Sequence, residues 1–380
     1  MDNKPIRLVD SISRLKSQGA SDKDIKREFN RYIEIHARNN LVPLHGQFEL
    51  TPFCNLDCKM CYVHLNGLQF DNSSLLSVDI LKKIINDAHN AGMLHTTLTG
   101  GECLTYPWFN EVYLFCRENG IVPTVLTNGV LLDSERIAFF SKYPPSLIQV
   151  TLYGSSDNAY EKVTGHRVFN TVYHNLEQLR ESKIRVSLAL TPSSFMSDDI
   201  RPLLEAAISL NIPFGINANL ITPREQTGRK LEDLQVEQYI VMYRVWKELK
   251  KEDLLPIDAA ELPDENHGGE KAYGLQCGGG RSSFTIQYNG KMSPCPSLSE
   301  VTTEPLVEGF QNAWRRLNTL VKEYPMPAEC TDCVYHDYCL ICPAIHNNAH
   351  NPGHCDPRIC ERTKRLIQEG FIKLENKAEG

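Results

Sequence analysis

From residue 46 to about residue 219 the chain alternates short β-rich runs with amphipathic helical stretches. The runs are GQFELT (46–51), HTTLTG (95–100), VPTVLT (122–127), SLIQVTL (146–152), IRVSLAL (184–190) and PFGINA (213–218). Between the first two lies LSVDILKKIINDAHNAG (76–92), whose apolar residues recur at helical spacing and which ends in glycine. Strand–helix alternation of this kind means parallel strands joined by right-handed crossovers. Six units are too few for a closed eight-fold barrel. The expected fold is therefore α/β, an open, partial (β/α)6 barrel covering residues 46–230. In such sheets chemistry sits at the carboxyl ends of the strands.

The flanks read differently. Residues 1–45 predict one or two polar helices, and residues 231–275 a helical linker whose loop PDENHGG (263–269) marks a boundary. Residues 276–362 are cysteine-rich, with an Asn-Gly hairpin signal in FTIQYNGKMSPC (284–295), and residues 363–380 form a charged tail. No internal repeat or low-complexity tract is present.

Net charge narrows the partners. A value of −7 argues against nucleic acid, which normally meets a basic stripe. No run approaches the roughly 20 apolar residues that span a bilayer, and the start lacks the apolar core of a signal peptide. The expectation is a cytoplasmic protein with no membrane partner. In a reducing compartment 13 cysteines are not a disulfide framework. They cluster: Cys54, Cys58 and Cys61 in CNLDCKMC, Cys103 and Cys116 alone, and eight between residues 277 and 360. Such clustering points to metal. Structural zinc wants four ligands, so the close trio is either a zinc half-site or a metal centre left open.

The trio, placed just beyond the first strand run, resembles that of the radical SAM enzymes. The second hallmark of that family also stands here, Gly100-Gly101-Glu102 at the end of the second run. The resemblance implies a 4Fe–4S cluster on Cys54, Cys58 and Cys61 whose fourth iron takes the amino and carboxylate groups of S-adenosylmethionine. It implies contact of Gly100, Gly101 and Glu102 with the methionyl amino group: glycines admit close backbone approach, and a carboxylate accepts from an ammonium. Met60 stands where the family has an aromatic residue near the adenine, a role Tyr62 could share. Asn128 and Thr151, at the ends of the third and fourth runs, match polar residues set against ribose, with a plain turn or cap role as the alternative. Cys103 follows Glu102 where many relatives have proline. It is either a small buried residue or a thiol within reach of the site.

The carboxyl-terminal cysteines resemble the SPASM extension of the same enzymes. Cys277, Gly290 and Cys295 give its first half; Cys330, Cys333, Cys339, Cys342 and Cys360 give its second, with one residue fewer than usual before Cys342. By position the resemblance implies two auxiliary 4Fe–4S clusters: an outer one on Cys330, Cys333, Cys339 and Cys360, and an inner one on Cys277, Cys295 and Cys342. The fourth inner ligand is either Cys355 or absent, leaving an open iron. Cys355 has no counterpart in the pattern, which favours a bystander. Zinc held by His346, His350, His354 and nearby cysteines is the alternative.

The implied reaction is reductive cleavage of S-adenosylmethionine to a 5′-deoxyadenosyl radical that abstracts hydrogen from substrate. An external donor such as flavodoxin or ferredoxin would supply the electron. Many relatives with this extension modify peptides or proteins, by crosslinking, thioether formation, epimerisation or oxidation of a sulfatase residue. Pro296 stands where sulfatase-maturing relatives carry aspartate, which disfavours that branch. The 45-residue head is too short for the usual peptide-binding module, so a separate protein would carry that role. The alternatives are a small-molecule substrate (a sugar, nucleoside or amine) and a non-enzymatic iron–sulfur carrier or zinc scaffold.

Overall fold

The computed structural model describes residues 8–65, 75–196, 198–217, 220–221, 223–224, 236–252, 277–325, 327–330, 332–339, 342, 344 and 354–372. Much of the expected linker, PDENHGG included, lies outside these residues, as do residues 218–219, His346, His350 and the tail beyond 372.

The six expected strands form as β1 (His45–Glu49), β2 (His95–Thr99), β3 (Val122–Thr127), β4 (Leu147–Leu152), β5 (Val186–Leu190) and β6 (Phe214–Ile216). Each pairs in parallel with the next. Six helices fill the crossovers: α3 (Val78–Asn90), α4 (Phe109–Glu118), α5 (Ser134–Lys142), α6 (Asp157–Thr164), α7 (Phe169–Glu181) and α8 (Ile200–Ser209). Their starts are set locally: Ser77, Asp133 and Ser156 each accept a backbone N–H of the first turn of α3, α5 and α6. Inward residues of the strands, such as Phe48, Leu98, Val125, Ile148, Val150 and Leu188, are fully buried against the helices. The sheet does not close; its order is β6-β5-β4-β3-β2-β1-β7-β8.

The hairpin expected within the cysteine-rich unit forms as β7 (Ser283–Ile286) and β8 (Met292–Ser293), but it does not stand apart. Strand β7 pairs in parallel with β1, so β1 lies inside the sheet. The reason is apolar. Phe284 meets Phe48 edge-on at 6.0 Å and also packs on Phe310 and Trp314 of α11 (Phe310–Lys322), which follows the short α10 (Pro305–Glu308). An aromatic pair of this geometry adds to the area it buries.

The amino-terminal helices α1 (Leu8–Ser17) and α2 (Asp22–Asn40) form as expected, α2 opening on a capping box between Ser21 and Asp24. Two contacts tie α2 and its end to the β7 side: Ser282 donates to Glu34, and the Trp314 indole donates to the Leu41 carbonyl at 2.7 Å. Helix α9 (Val236–Lys251) packs against α8 and against a final helix, α12 (Pro357–Gln368). Residue 362, the expected end of the cysteine-rich unit, falls inside α12. The start of the expected tail is thus helix, held to α9 by Arg365–Glu237 and Arg244–Glu369 pairs. Among the described residues no helix is long and apolar enough to cross a membrane.

Candidate active site

The cysteine trio lies on the loop that leaves the carboxyl end of β1. Three backbone bonds set its path: Leu50 donates to Thr99, Asp57 to Thr164 at 2.9 Å, and Lys59 to Val163 at 3.0 Å. The loop is therefore held by β2 on one side and by the end of α6 on the other. Donors then converge on sulfur. The Leu56 N–H points to Cys54 Sγ (3.4 Å), the His64 N–H to Cys61 Sγ (3.2 Å), and the Asn128 amide to Cys54 Sγ (3.6 Å). Such bonds favour the thiolate over the thiol. Burial, followed by the nearby Glu102 carboxylate, nevertheless pushes the Cys54 thiol up to about 12. Metal binding at such a sulfur must displace its proton.

The Gly100–Gly101 turn presses onto this loop. A Cβ on Gly100 would lie 2.4 Å from the Thr51 carbonyl oxygen, and one on Gly101 2.3 Å from that of Phe53. Those carbonyls accept from Gly101 N–H (2.6 Å, Thr51) and Glu102 N–H (2.8 Å, Phe53). The close approach that requires glycine is thus to the cysteine loop itself.

Glu102 is 1% exposed and already well occupied. Oε1 accepts from the Thr127 hydroxyl (2.8 Å) and the Leu104 N–H (3.0 Å); Oε2 accepts from the Asn128 N–H (2.7 Å). Burial raises its pKa, while these bonds oppose the rise. The carboxylate ties the end of β2 to the end of β3 and leaves one lone pair, on Oε2, for a ligand. Asn128 is also engaged: its amide reaches Asn55 Oδ1 at 2.7 Å and its Oδ1 caps Val130 N–H at 3.0 Å. It braces the cysteine loop while also lining the cavity.

These elements enclose a cavity of about 320 Å³ at the carboxyl ends of the strands. Cys54, Cys58, Cys61, Met60, Tyr62, Gly100, Gly101, Glu102, Asn128 and Thr151 all line it. Cys103 does not. It is fully buried, with its thiol donating to the Leu126 carbonyl at 3.2 Å, so it is the small core residue of the two readings. The sequence reading missed Gln47, Gln149, Thr191 and Asn217, which add amides and a hydroxyl to the wall, and Tyr153. A signal was available for some of them: Gln149 and Thr151 alternate on a strand whose other residues are apolar, so both face one side.

The carboxyl-terminal thiols fall into two groups. Cys330, Cys333, Cys339, Cys355 and Cys360 line a second cavity of about 300 Å³. Cys295 and Cys342 flank a small apolar cluster of Leu298, Val321 and Ala344, with Cys277 beside Cys295. Cys355, read from the sequence as a bystander or a fourth inner ligand, lines this second cavity. Its sulfur is 2.9 Å from that of Cys360. His354 is half exposed and bonded to Glu329 at 2.6 Å. Tyr62 and Pro296, the residue after Cys295, both line the main cavity.

All-thiol sites suit zinc or iron–sulfur clusters. Among the described residues no three His, Cys, Asp or Glu side chains crowd closely enough to hold a single ion. The trio and the outer group instead line cavities of about 320 Å³ and 300 Å³, room that fits a multi-iron cluster.

Residues 48–207 match the Radical SAM superfamily, and the chain carries a radical SAM domain. The antilisterial bacteriocin subtilosin biosynthesis protein AlbA of Bacillus subtilis is 24% identical over 352 residues, 86% of this chain and 74% of AlbA. The AdoMet-dependent heme synthase of Methanosarcina barkeri is 22% identical over 321 residues, 78% of this chain and 90% of that protein. Among solved structures, Streptococcus suis SuiB bound to its precursor peptide SuiA superposes with a TM-score of 0.65 at 15% identity. That match covers 92% of this chain and 87% of SuiB, and it shows a common fold. The radical SAM domain of this chain is built on an open parallel sheet.

Proposed function

We propose that this enzyme modifies a peptide by radical chemistry in the cytoplasm, installing a crosslink or thioether or epimerising a residue. The observation that carries the reading is convergence on one cavity. The three thiols, the Gly-Gly-Glu turn and the strand-end side chains Gln149, Thr151, Thr191 and Asn217 all face it, and Pro296, next to Cys295, closes part of its wall.

Cys54, Cys58 and Cys61 would hold a 4Fe–4S cluster, which would supply the electron for reductive cleavage of S-adenosylmethionine. The chain's own work is placement. Met60 and Tyr62 offer apolar wall for a nucleoside, and Thr151 offers a hydroxyl beside it. Glu102 and Asn128 fix the cysteine loop to β3, and the enclosing strand ends exclude water from a reactive intermediate. Residues 276–362 would serve as a SPASM-type unit whose two auxiliary clusters accept the substrate-derived electron or bind substrate, while an external donor such as flavodoxin or ferredoxin would supply the electron at the trio. The two thiol groups support that assignment.

AlbA's part in bacteriocin biosynthesis and SuiB's complex with a precursor peptide favour a peptide substrate. The heme synthase likeness keeps a small molecule as the competing substrate. The test is incubation of anaerobically reconstituted protein with S-adenosylmethionine, reductant and short peptides encoded beside its gene. Formation of 5′-deoxyadenosine coupled to a changed peptide mass supports the proposal. Coupled turnover of a tetrapyrrole, with every such peptide unchanged, overturns it.

A further inference from the structure

The outer cavity holds five thiols, whereas a 4Fe–4S cluster takes four. We propose that Cys355 and Cys360 are alternative ligands for the same corner of the outer cluster, an inference that rests on the auxiliary-cluster reading above. With sulfurs 2.9 Å apart the two occupy one place on the cavity wall. Each cluster iron takes one protein thiolate, so one position admits one of them at a time.

Cys355 is placed there by built contacts. Its backbone N–H donates to Glu329 Oε2 at 3.2 Å, and His354 Nδ1 bonds Glu329 Oε1 at 2.6 Å. Glu329 immediately precedes Cys330, so this carboxylate staples the Cys355 loop onto the turn carrying another outer thiol. Cys360 has a different mount. It sits in the first turns of α12, its N–H bonded to the carbonyl of Asp356, whose side chain caps that helix. One corner can therefore be held either by a rigid helix or by a loop stapled at the surface. The sequence pattern assigns the corner to Cys360 alone.

The experiment measures iron content and reduced-state EPR of the full chain after anaerobic reconstitution, in Cys355→Ala, Cys360→Ala, the double variant and Cys333→Ala. The expected result is that each of the first two single variants keeps its iron, with different EPR spectra because the ligand mount differs. The double variant should lose about four irons per chain, as Cys333→Ala should. Loss of the cluster in Cys360→Ala alone overturns the exchangeable corner while leaving the auxiliary cluster standing. Full iron in the double variant, alongside loss in Cys333→Ala, overturns it equally. Full iron in Cys333→Ala overturns the outer-cluster reading itself. Thermal melts of the apo forms check folding: the double variant should melt with the single ones.

Discussion

Arg224 grips Glu49 with both ends of its guanidinium, Nη1 to Oε2 at 2.8 Å and Nη2 to Oε1 at 2.6 Å. The side chains are 8% and 0% exposed, so the pair is desolvated. Glu49 ends β1, where the cysteine loop begins. The Arg224 N–H donates to the Tyr62 carbonyl at 3.1 Å, and its guanidinium lies 5.6 Å from the Tyr62 ring, where the loop has passed its last cysteine. One residue thus holds both ends of the segment that carries Cys54, Cys58 and Cys61.

Arg224→Met should therefore cost more than a surface ion pair. Removing one partner of a buried pair leaves an uncompensated charge, typically worth ~3–5 kcal/mol. The paired variant Glu49→Gln with Arg224→Met should recover a large part of that loss. Urea denaturation of the apo protein reads both. A single variant as stable as the parent would show that the pair does not hold the loop.

Glu102 should behave as a clamp as well as a ligand contact. Glu102→Ala strips acceptors from two backbone N–H groups and a hydroxyl, each unsatisfied group costing ~1–3 kcal/mol. The cysteine loop, joined to the same place through Asn128, should loosen with it. Iron bound at the trio and affinity for S-adenosylmethionine should fall together. Normal iron with only cofactor affinity lost would reduce Glu102 to a ligand contact.

Much of this was legible in the sequence, and the rest was not for identifiable reasons. The six strand runs lie within two residues of the observed strands, because β-rich runs bounded by turns are a local signal. The trio and the Gly-Gly-Glu turn could be placed at one sheet end by the same logic. Nothing local, however, tells Phe284 that its strand will lie beside β1. Arg224 finds Glu49 across 175 positions, and Glu329 reaches the backbone N–H of Cys355 across 26. A motif pattern assigns thiols by order in the chain. The fold assigns them by cavity.

Cys58→Ala tests the central chemistry. Cys58 is buried in the cavity wall between two other thiols of the same loop, so its loss would remove one of the three proposed ligands. Reconstituted parent protein with reductant should release 5′-deoxyadenosine slowly without substrate. The variant should release none, and replacing Cys54, Cys58 and Cys61 together should remove about four irons. Chromatography of the nucleoside and an iron assay give both readings, and normal turnover in Cys58→Ala would refute the open-cluster assignment.

Glycines separate tight approach from mere flexibility, and this sheet offers both kinds. A Cβ at Gly101 would lie 2.3 Å from the Phe53 carbonyl oxygen, a backbone atom that cannot swing aside. Gly101→Ala must therefore push the turn away from the cysteine loop. That breaks the short Gly101–Thr51 and Glu102–Phe53 bonds and moves Cys54, one residue beyond Phe53. Overpacking of this kind typically costs ~1–3 kcal/mol. Gly215 in β6 is the internal control: a Cβ there meets nothing within 4 Å, and its backbone suits any residue. Gly215→Ala should be neutral or slightly stabilising, since alanine lowers the freedom of the unfolded chain. The two variants should differ in apo stability, and Gly101→Ala alone should lose iron at the trio. If both variants bind iron like the parent, the turn does not set the geometry of the cluster loop, and the glycines serve only a ligand that arrives later.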